Sequence, residues 1–380
     1  MRIAILAHIR HPIAQPFMGG MEAHAYHLAH ALQGRGHDVT LFASGDSRVD
    51  VALVSVTPEH YERTYPFERY HGSDQLNEFL DAAFAKTLPD LRDGEFDVIH
   101  NNSLHRFPPR MSYEQRIPMV TSLHVPAFDW LRRAVLESAA PWCRFTATSR
   151  RHALSYWSDA TTGALPDGAH VVHNGIDLSA WSFAPQGNGR AIWAGRIHPN
   201  KGPHLAAEAA RRAGVALDLY GPIEIREYFD QRLRPLLSES IRYRGHVSGE
   251  RLAARMREAS VYVFTPMWDE PFGLVAVEAM ACGLPVAAFD NGAAREVVGS
   301  AGIIAPAGDV DALAEAIRRA LTIPRLVPRA RAEESFSVDG MVAGYEAVYE
   351  AAITGRSYSG ELSADLPQAV PQTAALRLAA

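Results

Sequence analysis

Short apolar runs alternate with longer stretches of helical periodicity along almost the whole chain. Ile3–Ala7, Val39–Ala43, Val51–Val56, Phe96–His100, Met119–His124 and Phe145–Thr148 read as strands. Between several of them lie helical patterns at Glu22–Gln33, Gln75–Lys86, Trp130–Ala139 and Arg151–Trp157. The alternation resumes with strands at Ala191–Ala194, Ala216–Tyr220, Ile241–Tyr243, Val261–Phe264, Pro285–Phe289 and Gly302–Ile304. Helical spacing returns at Pro203–Arg212, Glu250–Ala259, Gly273–Ala281 and Val310–Leu321. Parallel strands need crossovers of helical length, and those crossovers are right-handed. The pattern therefore predicts an α/β protein built from doubly wound parallel sheets.

Periodicity lapses over Trp181–Arg190, WSFAPQGNGR, where Pro and Gly cluster. A cut there gives two Rossmann-like domains, residues 1–180 and 181–337, facing one another across a ligand-binding cleft. Residues 354–380 are expected to form a flexible tail, since Gly360–Ala380 holds Pro367 and Pro371 and no aromatic residue.

Composition removes several classes. With 37 basic and 43 acidic residues the 380-residue chain carries a net charge of −6, which argues against a dedicated nucleic-acid binder. The two cysteines, Cys143 and Cys282, are too few for a disulfide framework or a cysteine zinc site and sit in apolar surroundings. The opening MRIAILAHIRHPIAQPF has no long apolar run with a cleavage site. No segment offers the roughly 18 apolar residues of a membrane helix, so a cytoplasmic location is expected.

The densest chemical signal is Phe264–Pro285, FTPMWDEPFGLVAVEAMACGLP. A strand ends near Phe264, and a helix starts around Phe272–Gly273. Backbone amides at that start, unobstructed at Gly273, form an anion site. Glu270 and Glu278 flank it with an E-x7-E spacing. Carboxylates accept hydrogen bonds from vicinal hydroxyls, so the arrangement suits a diphosphate with a sugar on either side, a nucleotide sugar. A second signal, Ala194–His204, puts Arg196 and Lys201 in the loop after the first strand of the second half, where they would neutralise that diphosphate. The order Lys201-Gly202 departs from a Walker A loop. Met18–Glu22, MGGME, allows close backbone approach at Gly19 and Gly20, and His124 ends a strand facing the cleft.

Other features are discounted. His24, His27 and His30 recur every third residue without an H-E-x-x-H pattern or a carboxylate partner and read as a partly buried face. Asp309-Val310-Asp311 opens a helix and reads as an N-cap.

Taken together, the residues resemble the retaining glycosyltransferases of family 4, of GT-B fold. The resemblance spans roughly Arg2 to Ile353. It rests on GGME at 19–22, His124, TATSR at 146–150, HNGID at 173–177, GRIHPNKG at 195–202 and EPFGLVAVEAMACGLPV at 270–286. It implies that Arg196 and Lys201 bind the donor diphosphate, Glu278 the ribose and Glu270 the transferred sugar. It also implies that the Phe272, Gly273 and Leu274 amides meet sugar and phosphate, that Gly20 approaches from the opposite domain and that His124 contacts the sugar. Residues 338–353 would form a last helix crossing back onto the first domain. The expected reaction is metal-independent hexosyl transfer from a nucleoside-diphosphate sugar, UDP- or GDP-linked, with no other cofactor. The leaving diphosphate would take the acceptor's proton in a front-face substitution. The alternatives are a nucleotide-sugar 2-epimerase or hydrolase of the same architecture, and a non-catalytic sugar-binding protein.

The acceptor, whether carbohydrate, lipid-linked or small molecule, is expected against the first domain. Tyr61–Tyr70, YERTYPFERY, nominates Tyr65 and Arg69. An aromatic loop packed on its own domain is the alternative. Arg132 and Arg133 beside Trp130 suggest peripheral membrane contact, with solvated helix arginines the alternative.

Overall fold

A computed structural model describes residues 1–157 and 164–356. The flexible-tail expectation falls almost entirely outside the described residues. Strands β1 (Arg2–Leu6), β2 (Asp38–Ser44), β3 (Ala52–Thr57), β4 (Val98–Asn101), β5 (Met119–Leu123), β6 (Cys143–Ala147) and β7 (Ala169–Val171) form one sheet. Its order is β3-β2-β1-β4-β5-β6-β7. Strands β8 (Ala191–Ala194), β9 (Leu217–Tyr220), β10 (Ile241–Tyr243), β11 (Val261–Phe264), β12 (Val286–Phe289) and β13 (Gly302–Ala305) form the second, in the order β10-β9-β8-β11-β12-β13.

The strand pairs of both sheets are parallel. Both contain the doubly wound order 3-2-1-4-5-6, with strand order reversing between β1 and β4 and between β8 and β11. Ligands of such sheets bind beyond the carboxyl ends of the strands at that reversal. His8 follows β1, Asn102 follows β4, Arg196 follows β8 and Thr265 follows β11, so the switch points carry the polar residues of interest.

Helices cover both faces of each sheet. Two apolar clusters fill the second domain, one around Phe264, Phe272 and Met280 and the other around Trp193, Leu219 and Leu313. Three fill the first domain, and one of them is shared. Met341, Tyr345, Val348 and Tyr349 of the helix Val338–Thr354 pack with Ile3, Leu28 and Val98. The last helix thus belongs to the first domain's core although it follows the second domain in sequence. Val338 N donates to Ile176 O at 3.1 Å and Ile176 N to Phe336 O at 2.9 Å where the chain crosses.

The domains also touch directly. Thr148 and Ser149 hydroxyls donate to the carbonyl of Pro271 at 3.0 and 2.8 Å. Glu296 accepts from the Arg150 and Arg151 amides and from His173 Nε2. These contacts account for TATSR and HNGID as interdomain joints. Among the described residues no helix is long and apolar enough to cross a membrane.

Candidate active site

Lys201 lies in a single 3-10 turn, Pro199–Lys201, ahead of the helix Pro203–Ala213. The turn is stitched to the exit of β11. Thr265 Oγ1 donates to the carbonyl of Lys201 at 2.8 Å, and Met267 N donates to Asn200 O at 2.7 Å. That stitching brings Lys201 Nζ to 2.5 Å from Glu270 Oε2. Trp268 Nε1 donates to the same oxygen at 2.8 Å, and Lys201 stands 4.9 Å from the centroid of the Trp268 ring. Glu270 is buried, yet its Oε1 has no protein partner among the described residues. One oxygen is anchored and the other is left to accept a hydroxyl.

Gly273 caps the helix Leu274–Ala281 with φ +92°, and a Cβ there would lie 2.6 Å from Phe264 Cζ. Only glycine enters this turn without strain. The amides of Phe272, Gly273 and Leu274 have no acceptor among the described residues, as expected of the first amides of a helix. The Phe272 ring turns inward against Phe336 and His173, so its backbone is what it can offer a ligand. The carboxyl of Glu278, five residues on from Gly273, also has no hydrogen-bond partner among the described residues. Burial pushes its carboxyl up to about 7, since an unpaired charge is penalised by desolvation.

Arg196 takes a different place from Lys201. Its Nη1 lies 2.6 and 2.7 Å from the two carboxylate oxygens of Glu224, on the loop after β9. No sequence signal singles out Glu224. Trp268 lies within the dense Phe264–Pro285 segment, but nothing in its spacing showed that it would bind Glu270.

From the first domain, Gly19 caps the helix Gly20–Gly34, and a Cβ on Gly20 would lie 3.0 Å from Leu274 Cδ1. The glycine turn and the donor-side helix therefore meet across the cleft. Glu22 of the same segment is buried, 2.9 Å from His8 Nε2. Burial alone would raise its carboxyl, and His8 holds it below the ordinary value.

His124 is half-buried, its Nε2 3.2 Å from Asn102 Oδ1 and its ring 4.3 Å from that of His24. Burial, with His100 nearby, drives its pKa down to about 3, so at neutral pH it is an uncharged hydrogen-bonding group and not an acid. His24, expected on a partly buried face, is fully buried beside it. Among the described residues no group of three His, Cys, Asp or Glu is placed to hold a metal ion. Tyr65 packs against Tyr70 and Phe79, and exposed Arg69 lies over the Tyr70 ring. The segment meets the loop after β1 through Arg10, which stacks on Phe67 and binds Glu62 at 2.8 Å.

Comparison with known proteins decides the family. Residues 18–180 match the model "Glycosyltransferase Family 4" and residues 181–335 the model "Glycosyl transferases group 1". An MMP alpha-(1->4)-mannosyltransferase of Mycolicibacterium hassiacum is 30% identical, over 93% of this chain and 98% of that protein. The chain is a family 4 glycosyltransferase. A phosphatidyl-myo-inositol mannosyltransferase of Mycobacterium leprae is 29% identical to the glycosyltransferase, covering 83% of it and 86% of the relative. Among solved structures, sucrose-phosphate synthase of Thermosynechococcus elongatus superposes with a TM-score of 0.70 at 20% identity, over 93% of this chain and 100% of that one. Anabaena HepE in complex with UDP and glucose does so with 0.68 at 20% identity, over 91% and 98%. Both share the GT-B fold with this glycosyltransferase.

Proposed function

We propose that the glycosyltransferase moves a hexosyl unit from a nucleoside-diphosphate sugar to an acceptor hydroxyl with retention of anomeric configuration. One observation carries the donor assignment. Two cations, Arg196 and Lys201, three amides at Phe272–Leu274, and two carboxylates, Glu270 and Glu278, lie at the β8/β11 switch point; among the described residues the amides, Glu270 Oε1 and the Glu278 carboxyl have no partner. Cations and amides suit the diphosphate; Glu278 accepts from the ribose and Glu270 Oε1 from the transferred sugar. Gly19 and Gly20 let the first domain's backbone close on the diphosphate, and His124 meets the sugar.

The bond from the anomeric carbon to the diphosphate oxygen breaks while the acceptor oxygen bonds the same carbon on the same face. The acceptor's proton passes to the departing phosphate oxygen. Arg196, Lys201 and the amides stabilise the charge that develops there, the term that dominates such transfers. Two fixed cations supply this neutralisation, and the proposal requires no resident metal. HepE, crystallised with UDP-glucose, favours UDP among the bases.

A thermal-shift screen of UDP-, GDP- and ADP-sugars tests the donor, because a bound donor raises the melting temperature by mass action. Proton NMR of the product anomer tests retention, and turnover in excess EDTA tests the metal requirement. Release of a free sugar without acceptor would instead indicate hydrolysis, or epimerisation where the sugar is altered.

A further inference from the structure

A buried chain of polar side chains runs from His124 to the last helix of the protein. Asn102 Oδ1 lies 3.2 Å from His124 Nε2 and 3.1 Å from His100 Nε2. Asn102 Nδ2 lies 3.3 Å from His24 Nδ1. His24 Nε2 lies 3.1 Å from the Tyr345 hydroxyl, which also accepts from Ser122 Oγ at 3.0 Å. Tyr349 Oη is 2.7 Å from His100 Nδ1. Asn102, His24, His100, Ser122, Tyr345 and Tyr349 are all buried.

With the Asn102 amide oriented in this way, donor and acceptor rules assign the imidazole protons of the chain, and Ser122 Oγ, 3.2 Å from His100 Nε2 and 2.9 Å from Thr146 Oγ1, accepts or donates to suit. An amide oxygen only accepts, so His124 and His100 each carry their proton on Nε2. The amide nitrogen only donates, so His24 Nδ1 is bare and His24 Nε2–H donates to Tyr345. Tyr349 gives its proton to the bare His100 Nδ1. Reversing any one link forces the Asn102 amide to flip and the remaining protons to move with it. The tyrosine from the far end of the chain is thus coupled, through His24 and Asn102, to the tautomer of a histidine at the cleft.

We propose that Tyr345, through His24 and Asn102, is a positioning residue. It holds His124 as its Nε2–H tautomer, so that the ring presents a bare Nδ1 and takes a hydrogen bond from a hydroxyl of the bound sugar. Nδ1 has no protein partner among the described residues. A fixed acceptor selects a hydroxyl donor and rejects a group that cannot donate, which discriminates by leaving a polar group unpaired. The sugar contact rests on the function proposed above; the tautomer does not.

The experiment separates the two. The long-range nitrogen–proton NMR spectrum of selectively ¹⁵N-histidine-labelled full-length enzyme, without ligand, reads each tautomer directly. His124 is assigned by its loss in His124→Asn. The expected result is a protonated Nε2 and a bare Nδ1 at His124. Tyr345→Phe keeps the ring and its packing but removes the hydroxyl; it should mix the His124 tautomers. Asn102→Ala should do the same, whereas Asn102→Asp, which retains an acceptor for His124, should restore the Nε2–H form. In turnover, Tyr345→Phe should raise donor KM about two- to tenfold, the scale of one neutral hydrogen bond, with a smaller change in kcat. A proton on Nδ1 in the unmodified enzyme, or a His124 tautomer indifferent to both Tyr345→Phe and Asn102→Ala, overturns the proposal. A correct tautomer in a protein that binds no nucleotide sugar overturns the assigned function instead.

Discussion

Arg196 reaches both oxygens of Glu224, at 2.6 and 2.7 Å, so the guanidinium assigned to the donor diphosphate is already engaged by a carboxylate. Both contacts come from Nη1, and on the proposed assignment a bound diphosphate competes with Glu224 for this guanidinium. Arg196 is 49% exposed, and pairs in that setting are worth about 0.2–1 kcal/mol. Glu224→Gln is therefore expected to tighten nucleoside-diphosphate binding only about two- to fivefold, measured by calorimetry at low salt. Weaker binding would show that Glu224 orders Arg196 and does not compete for it.

Lys201 is held differently, between a buried carboxylate and an indole. On the proposed mechanism charge develops on the leaving phosphate beside it, so Lys201→Ala should lower kcat about a hundredfold or more, the scale of a lost preorganised donor. Glu278→Gln should mainly raise donor KM, because the proposed ribose contact would be the same in ground and transition states. Equal effects on kcat from both substitutions would contradict the division of roles.

Much of this was legible in the chain, and the remainder has identifiable causes. The strands at Ala191–Ala194, Ile241–Tyr243 and Val261–Phe264 coincide with the observed ones because buried parallel strands are continuous apolar runs bounded by turns. Strand β7 escaped, since three residues at a sheet edge carry no pattern. The helix Phe107–Gln115 carries no helical signal because Pro108 and Pro109 interrupt the pattern, although both are tolerated in a helix's first turn. Glu270 and Lys201 were visible as a motif with a chemical rationale. Their mutual contact, the Trp268 bond and the Glu224 pair arise from loop conformations that no periodicity encodes. Asn102 was invisible for a further reason: its role exists only because the last helix returns to bury Tyr345 beside it.

On the proposed ribose contact, Glu278 should make donor binding pH-dependent. Burial lifts its carboxyl to about 7, while ribose hydroxyls donate to the ionised form. Affinity should be full above that value and weaken as pH falls below it, approaching tenfold per unit. Calorimetry in buffers of different ionisation enthalpy should show proton release on binding near neutral pH, and Glu278→Gln should abolish it. The same shift acts on stability with the opposite sense. The folded carboxyl resists ionisation relative to the unfolded one, so this group destabilises the fold as pH rises from about 4.5 through 7.

Buried histidines oppose that trend. Burial holds His100 and His124 at about 3 and His105 and His170 at about 4, against an ordinary value near 6.5. The unfolded chain therefore binds more protons as pH drops, and each histidine costs about 1.4 kcal/mol per pH unit below 6.5 until its folded value is reached. Four histidines outweigh one carboxyl between pH 6.5 and 4.5. The urea midpoint is expected to fall steeply from pH 6.5 to 5 and to be nearly flat from 7 to 8. A midpoint that rises on acidification would show these rings to be more accessible than their packing implies.

Gly273 offers the sharpest separation of folding from binding. Its φ of +92° is unfavourable for any side chain, and the Cβ of Gly273→Ala would press within 2.6 Å of Phe264 Cζ. Relieving the clash requires the Phe272–Leu274 turn to move, and those amides are the ones assigned to the phosphate. The strain is worth about 1–3 kcal/mol, small enough for a two-domain core of this size to survive. Gly273→Ala should therefore fold with a modestly lowered melting temperature yet lose most of the stabilisation that a nucleoside diphosphate confers on the unmodified enzyme. Phe264→Leu in the same background gives the new methyl room and should recover part of that ligand-induced shift. If Gly273→Ala responds to the nucleotide as fully as the parent does, the turn is a structural cap and the phosphate is held by Arg196 and Lys201 alone.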